Sequence, residues 1–202
     1  FIAEVLPELR QSGGVVRKME SISWFKTREL DRLEENLEEV PTTENRLKLA
    51  SACVRFGQRD RAVELYRQSL EGAHAKDADI VKSLASALAE AENWSELLDV
   101  SSELRQLLNP GEINEAIRWE AIALDGLNHY RDAEERYLHL IESWPGEEIR
   151  CRLAMMLARE GRNADARFHF EAIRRHMRRG NSYYRSKNKL WAKHCSRWLK
   201  YL

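Results

Sequence analysis

Apolar residues return every three or four positions along most of this 202-residue chain. That is the period of a helix with one buried face, and no segment alternates convincingly at the period of two that a half-buried strand requires. Gly and Pro are scarce, nine and four, so the helices are expected to be joined by short turns. The clearest frame is Leu49, Ala50 and Cys53, followed by Gly57, Ala62, Tyr66 and Ser69. It recurs as Leu153, Ala154 and Leu157, then Gly161, Ala166, Phe170 and Ile173. A third copy reads Ala121, Leu124, Ala133, Tyr137 and Leu140, with Pro145 after it. The weakest copy is Leu84, Ala85 and Leu88, then Leu97 and Leu104. Set together, the frames start near Thr43, Ala78, Asn114 and Glu147, at intervals of 35, 36 and 33 residues.

The residue types explain themselves physically. Ala50, Ala85, Ala121 and Ala154 let the first helix of a pair approach the second closely. Ala62, Ala133 and Ala166 do the same from the other side, and Tyr66, Tyr137 or Phe170, four positions on, shares their face and fills the gap between pairs. Gly57 and Gly161 suit the turn after the first helix, where a positive φ is useful. Two departures stand out. Leu97 and Ser101 replace a small residue and an aromatic, so the second repeat is expected to be more loosely joined; Glu120 stands where the other repeats have Leu49, Leu84 and Leu153.

Outside the frames, Ser23 to Val40 reads as a charged amphipathic helix with an apolar stripe of Trp24-Phe25, Leu30, Leu33 and Leu37, ending at Pro41. A single final helix is expected from Tyr183 to Leu202, with Leu190, Trp191, His194, Trp198 and Leu199 along one stripe. A repeat array needs such helices to cover its ends.

The frame resembles the tetratricopeptide repeat (TPR), whose period is about 34 residues. The resemblance covers roughly residues 43–180. It implies an all-α, right-handed α-solenoid of about four TPR-like helix pairs with extra N- and C-terminal helices. The organisation expected is an N-terminal segment 1–14, an N-terminal capping helix 15–41, four repeats over 42–180 and a basic C-terminal capping helix 181–202. Val5-Leu6-Pro7-Glu8-Leu9-Arg10, the Pro41–Ala50 stretch, and Tyr183-Tyr184-Arg185 leading to Trp191 are similar to bacterial TPR proteins with a short membrane segment ahead of their repeats. By that resemblance Phe1 would sit at the tail of an upstream anchor, with Arg10, Arg17 and Lys18 following it. The positive-inside rule would then place the repeats in the cytoplasm, tethered to the inner membrane.

Charge adds a second pattern. Lys+Arg and Asp+Glu are equal at 33 each, yet ten Lys/Arg and no Asp or Glu lie between Ala172 and Leu202. The neutral total hides a dipolar chain. The basic surface comprises Arg174, Arg175, Arg178, Arg179, Arg185, Lys187, Lys189 and Lys193. Cys53, Cys151 and Cys195 are widely spaced and form no CxxC pair, so neither a disulfide framework nor a zinc site is signalled.

Catalytic motifs are missing: there is no GxSxG, HExxH, P-loop or GxGxxG. His194 and Cys195 are sequence neighbours, which a helix points about 100° apart, so they form no dyad. No enzyme, metal or cofactor is expected. The resemblance implies instead a concave groove lined by the first helices. On this chain it would hold Leu47, Ser51, Val54 and Arg55, then Lys82 and Ser86, then Arg118, Trp119, Ile122 and Asp125, then Arg152, Met155 and Arg159. Apolar anchors among cations suit a protein or peptide laid in a groove. The Lys/Asn clamp of chaperone-tail adaptors is absent, because Leu47, Ser51 and Ser83 occupy its places. The expected function is a non-enzymatic protein–protein scaffold; the alternative is nucleic-acid or anionic-membrane binding through the basic, aromatic C-terminal helix.

Overall fold

Each repeat's first helix begins a constant 35 residues after the last, at Thr43, Ala78, Ile113 and Glu148. The computed structural model describes residues 27–144 and 146–202. The expected 1–14 segment, the start of the 15–41 helix with Trp24 and Phe25, and Pro145 lie outside the described residues. The chain divides into two compact units, Phe1–Ala91 and Glu92–Leu202, with the boundary in the turn of the second repeat.

The first unit contains α1 (residues 27–39), α2 (Thr43–Phe56), α3 (Arg59–Ser69), a 3-10 turn (Gly72–His74) and α4 (Ala78–Glu90). Local signals start and stop these helices. Thr42 caps α2 by accepting from the Asn45 amide at 3.3 Å, and Asp77 caps α4 by accepting from the Asp79 and Ile80 amides. Side-chain oxygens at this position satisfy amides that the helix itself leaves open. Ala50 and Ala62 are fully buried, and Tyr66 is buried with them. Along α1, Leu30 and Leu33 are buried. Glu29 pairs with Arg55 at 2.8 Å and Glu34 with Arg61 at 2.5 Å, tying α1 to α2 and α3.

The second unit runs α5 (Trp94–Leu107), α6 (Ile113–Gly126), α7 (Tyr130–Ser143), α8 (Glu148–Arg159), α9 (Asn163–Arg179), α10 (Ser182–Lys187) and α11 (Lys189–Trp198). Ala121, Ala133, Ala154 and Ala166 have no exposed surface, nor do Tyr137 and Phe170. Side chains of that size, fully buried, contribute about 1.5–3 kcal/mol each. Glu120 owes its place to electrostatics: its carboxylate bridges Arg105 of α5 at 2.8 Å and Arg136 of α7 at 3.0 Å. Leu97 is fully buried, and Ser101 turns its hydroxyl onto the Leu98 carbonyl at 2.7 Å.

All four turns within the repeats use a residue of positive φ: Gly57 at 78°, Glu92 at 58°, Asn128 at 62° and Gly161 at 79°. Glycine meets that demand without strain, and asparagine tolerates it; Glu92 is the residue that pays in backbone energy.

The C-terminal region differs from the single helix expected. The chain bends at Asn188 between α10 and α11. Asn188 is buried; its carboxamide accepts from the Glu147 amide at 2.8 Å and donates to the Tyr184 carbonyl at 3.0 Å. The buried stripe is corrected too: Leu190 is 57% exposed. Cys195 takes the central place, fully buried with its thiol directed at the Phe170 carbonyl, between half-buried Trp191 and Trp198.

A packing test follows from Gly126. It is the last residue of α6, where Ala is intrinsically the better helix former. A Cβ there would stand 2.3 Å from the Trp94 ring. Gly126→Ala is therefore expected to cost about 1–3 kcal/mol in chemical denaturation, while Gly111→Ala, whose Cβ would meet nothing within 4 Å, stays within about 0.5 kcal/mol.

Candidate partner-binding surface

In the first unit, Leu47, Ser51 and Arg55 recur at four-residue spacing along α2 and so share one face. They line an open depression of about 450 Å³ with Glu44 and Lys48 of the same helix and Glu29 and Leu33 of α1. The floor is apolar, from Leu47 and Leu33. The rim is charged but internally paired: Arg55 donates to Glu29, and Lys48 meets Glu44 at 2.6 Å. Farther along the same unit, Lys82 is half-buried beside Asp79 at 3.3 Å and Ser86 is exposed.

In the second unit, the cations named from sequence are also paired. Arg118 directs Nε and Nη2 at one oxygen of Glu148, at 3.0 and 2.8 Å, and Arg152 adds Nε to the same oxygen at 2.9 Å. The Arg118 guanidinium lies over the Trp119 ring at 4.1 Å and the Trp144 ring at 5.6 Å; Arg152 lies over Trp191 at 5.1 Å. Cation–ring contacts of this kind add to the hold of the carboxylate. Arg159 pairs with Asp125, which also lies 3.5 Å from the Tyr137 hydroxyl. The structure thus gathers Arg118, Trp119 and Arg152 around Glu148, and sets Arg159 on a separate pair.

Two expected anchors are not presented to solvent. Trp119 and Ile122 are buried, and the Trp119 ring nitrogen has no hydrogen-bond partner among the described residues. Met155 is half-buried against the core. What α6 and α8 offer outward is a lattice of guanidinium, carboxylate and indole edges rather than free cations.

Two neighbours escaped sequence reading. Glu148 had a signal, since it stands four residues before Arg152 on one helix face. Glu147 had none. Its carboxylate is 2% exposed and accepts from Tyr184, 37 residues away, with His176 at 2.7 Å and Arg150 at 3.8 Å. A cavity of about 190 Å³ adjoins it, walled by Ile141, Arg150, His176 and Tyr184.

Protonation follows surroundings. Burial raises the Asp125 carboxyl above its usual range despite Arg159 beside it. Burial pushes Glu148 the same way, but Arg118 and Arg152 together outweigh it and hold that carboxyl below its usual value. Burial also pushes Cys151 up to about 12 and Cys195 up to about 11, and raises Cys53. These thiols stay protonated at neutral pH, the unreactive state. Among the described residues no group of three or more His, Cys, Asp and Glu is arranged to hold a metal.

Glu148 gives a pH test. A carboxyl whose folded pKa is depressed adds stability above its unfolded pKa, and that stability is lost as pH falls through the folded value. Glu148→Gln is expected to lower unfolding free energy by about 2 kcal/mol at pH 7. Urea titrations should show the gap between the two proteins closing as pH falls below the ordinary glutamate range.

No family model matches the chain, and no curated protein does. Solved structures do. MamA from residue 41 to its end, of Desulfovibrio magneticus RS-1, matches with a TM-score of 0.64 at 18% identity, over 84% of this chain and 99% of that one. MamA MSR-1 C2 matches at 0.60 and 18% identity, over 80% and 92%. YrrB, described as a TPR protein with an unusual peptide-binding site, matches at 0.50 and 19% identity, over 70% and 72%. Identities this low speak for the fold alone. With helix pairs at a 35-residue interval and paired buried alanines in three of the four repeats, the chain has the all-α fold of the tetratricopeptide-repeat proteins.

Proposed function

We propose that this chain is a non-enzymatic scaffold that holds a protein or peptide partner against the first helices of its repeats. The observation that carries this reading is the depression on α2, where Leu47, Ser51 and Arg55 meet Glu29 and Leu33 around about 450 Å³ of open space. Its apolar floor and paired charged rim match what a partner's side chain needs: a surface to bury against and polar groups at the edge. YrrB's description as a TPR protein with a peptide-binding site is consistent with that use of the fold.

The ion pairs refine the chemistry. Arg55, Arg118, Arg152 and Arg159 each already hold a carboxylate of this chain. A partner carboxylate would have to share or displace one, so burial of apolar groups, not capture of free acid, supplies most of the affinity. Salt dependence on this face is accordingly weak.

The test uses the full chain crosslinked in cells, with the captured partner purified and its affinity measured by titration. Leu47→Asp and Ser51→Glu are expected to weaken binding at least about tenfold, since a charge is forced into the contact core. Ser51 is exposed, so its substitution leaves the fold intact. Affinity unchanged by both substitutions would remove α2 from the binding surface.

A further inference from the structure

The cations from Arg174 onward behave unlike those on the first helices of the repeats. Arg174, Arg175, Arg178, Arg179, Lys187, Lys189, Lys193, Arg197 and Lys200 form no ion pair among the described residues; Arg185 donates to the Gly180 carbonyl. From Ala172 onward no Asp or Glu exists to pair with them, and Glu171, beside Arg174 and Arg175, is the nearest acid in sequence.

Within α11 and its closing turn this charge is ordered. At 100° per residue, Lys189, Leu190, Lys193, Arg197, Lys200 and Tyr201 fall within an arc of about 120°. Every one of them is exposed, Leu190 at 57% and Tyr201 at 78%. The opposite arc holds Trp191, Cys195 and Trp198, turned into the protein, with Trp198 stacked on Phe170 at 6.4 Å.

We infer that this outward face of α11 docks on an anionic lipid bilayer surface. Four cations on one arc, none in an ion pair among the described residues, attract an anionic surface electrostatically. The apolar members then separate lipid from nucleic acid. A single strand is held by bases stacked on a series of aromatic rings; both indoles of α11 pack against the core, which leaves Tyr201 as the one exposed ring on the arc. What stands out is Leu190 and Tyr201 at the margin of a lysine-rich arc. An aliphatic side chain has no stacking partner in a base, but both groups suit the boundary between headgroups and acyl chains, where tyrosine is enriched. No helix among the described residues is long and apolar enough to cross a membrane. It uses a different surface from the α2 depression, and either reading can fail alone.

The experiment is co-sedimentation of the full chain with vesicles of phosphatidylcholine alone and of phosphatidylcholine with about 30% phosphatidylglycerol. Binding is expected to the anionic vesicles only, and to be released by about 0.5 M salt. The exposed pair Lys193→Glu and Arg197→Glu should lower it at least about tenfold, and Leu190→Ser should lower it while retaining the salt response. No binding to anionic vesicles, equal binding to neutral ones, or binding unaffected by the charge reversals overturns the inference. So does tight capture of mixed-sequence single-stranded RNA by a protein that leaves the vesicles in solution.

Discussion

The close approach of two helices at an alanine is the constraint on which the first, third and fourth repeats depend. Ala50 with Ala62, Ala121 with Ala133, and Ala154 with Ala166 have no exposed surface at all. With a methyl on either side, two helix backbones come near enough for Tyr66, Tyr137 or Phe170 to close the remaining gap. A larger side chain at any of these positions would push the pair apart and uncover the aromatic. The turns obey the same geometry: reversing the chain within two or three residues requires a left-handed residue, and the demand is met even where the residue is Glu92. Position in the fold outranks local preference there.

That constraint was legible because it is local. The alanine and aromatic spacings sit within about twenty residues of one another, and Gly57 and Gly161 declare two of the four turns. Glu120 was visible as a departure, but its reason, Arg105 and Arg136 on the two flanking helices, required the fold. Glu147 was not legible, because its partners Tyr184 and Asn188 lie 37 and 41 residues away. Hydrophobicity alone draws the expected stripe toward Leu190, which the fold leaves exposed, while Cys195, small and weakly polar, takes the inner place against the Phe170 carbonyl. Trp119 and Ile122 follow the repeat's period but are covered, which a periodicity cannot distinguish from lining a groove.

Charge divides the surface into two chemistries that composition conceals. On the first helices of the repeats, arginines are fixed by carboxylates and indole faces; they act as struts that keep α6, α8 and α11 in register. From Arg174 to Lys200 the cations form no ion pair among the described residues, and no acid follows Glu171 in the chain. A dipolar chain of zero net charge therefore has one face whose cations are already spent on its own architecture and another whose field reaches into solvent.

The three thiols have a practical consequence. Cys53, Cys151 and Cys195 are the chain's entire complement of cysteine, and each is buried and held protonated by its surroundings. To an alkylating dye at neutral pH the folded protein is almost blank. A single cysteine placed on the α2 depression or on the outer arc of α11 would then be the one bright point, able to report contact with a partner or a bilayer without any native thiol being removed.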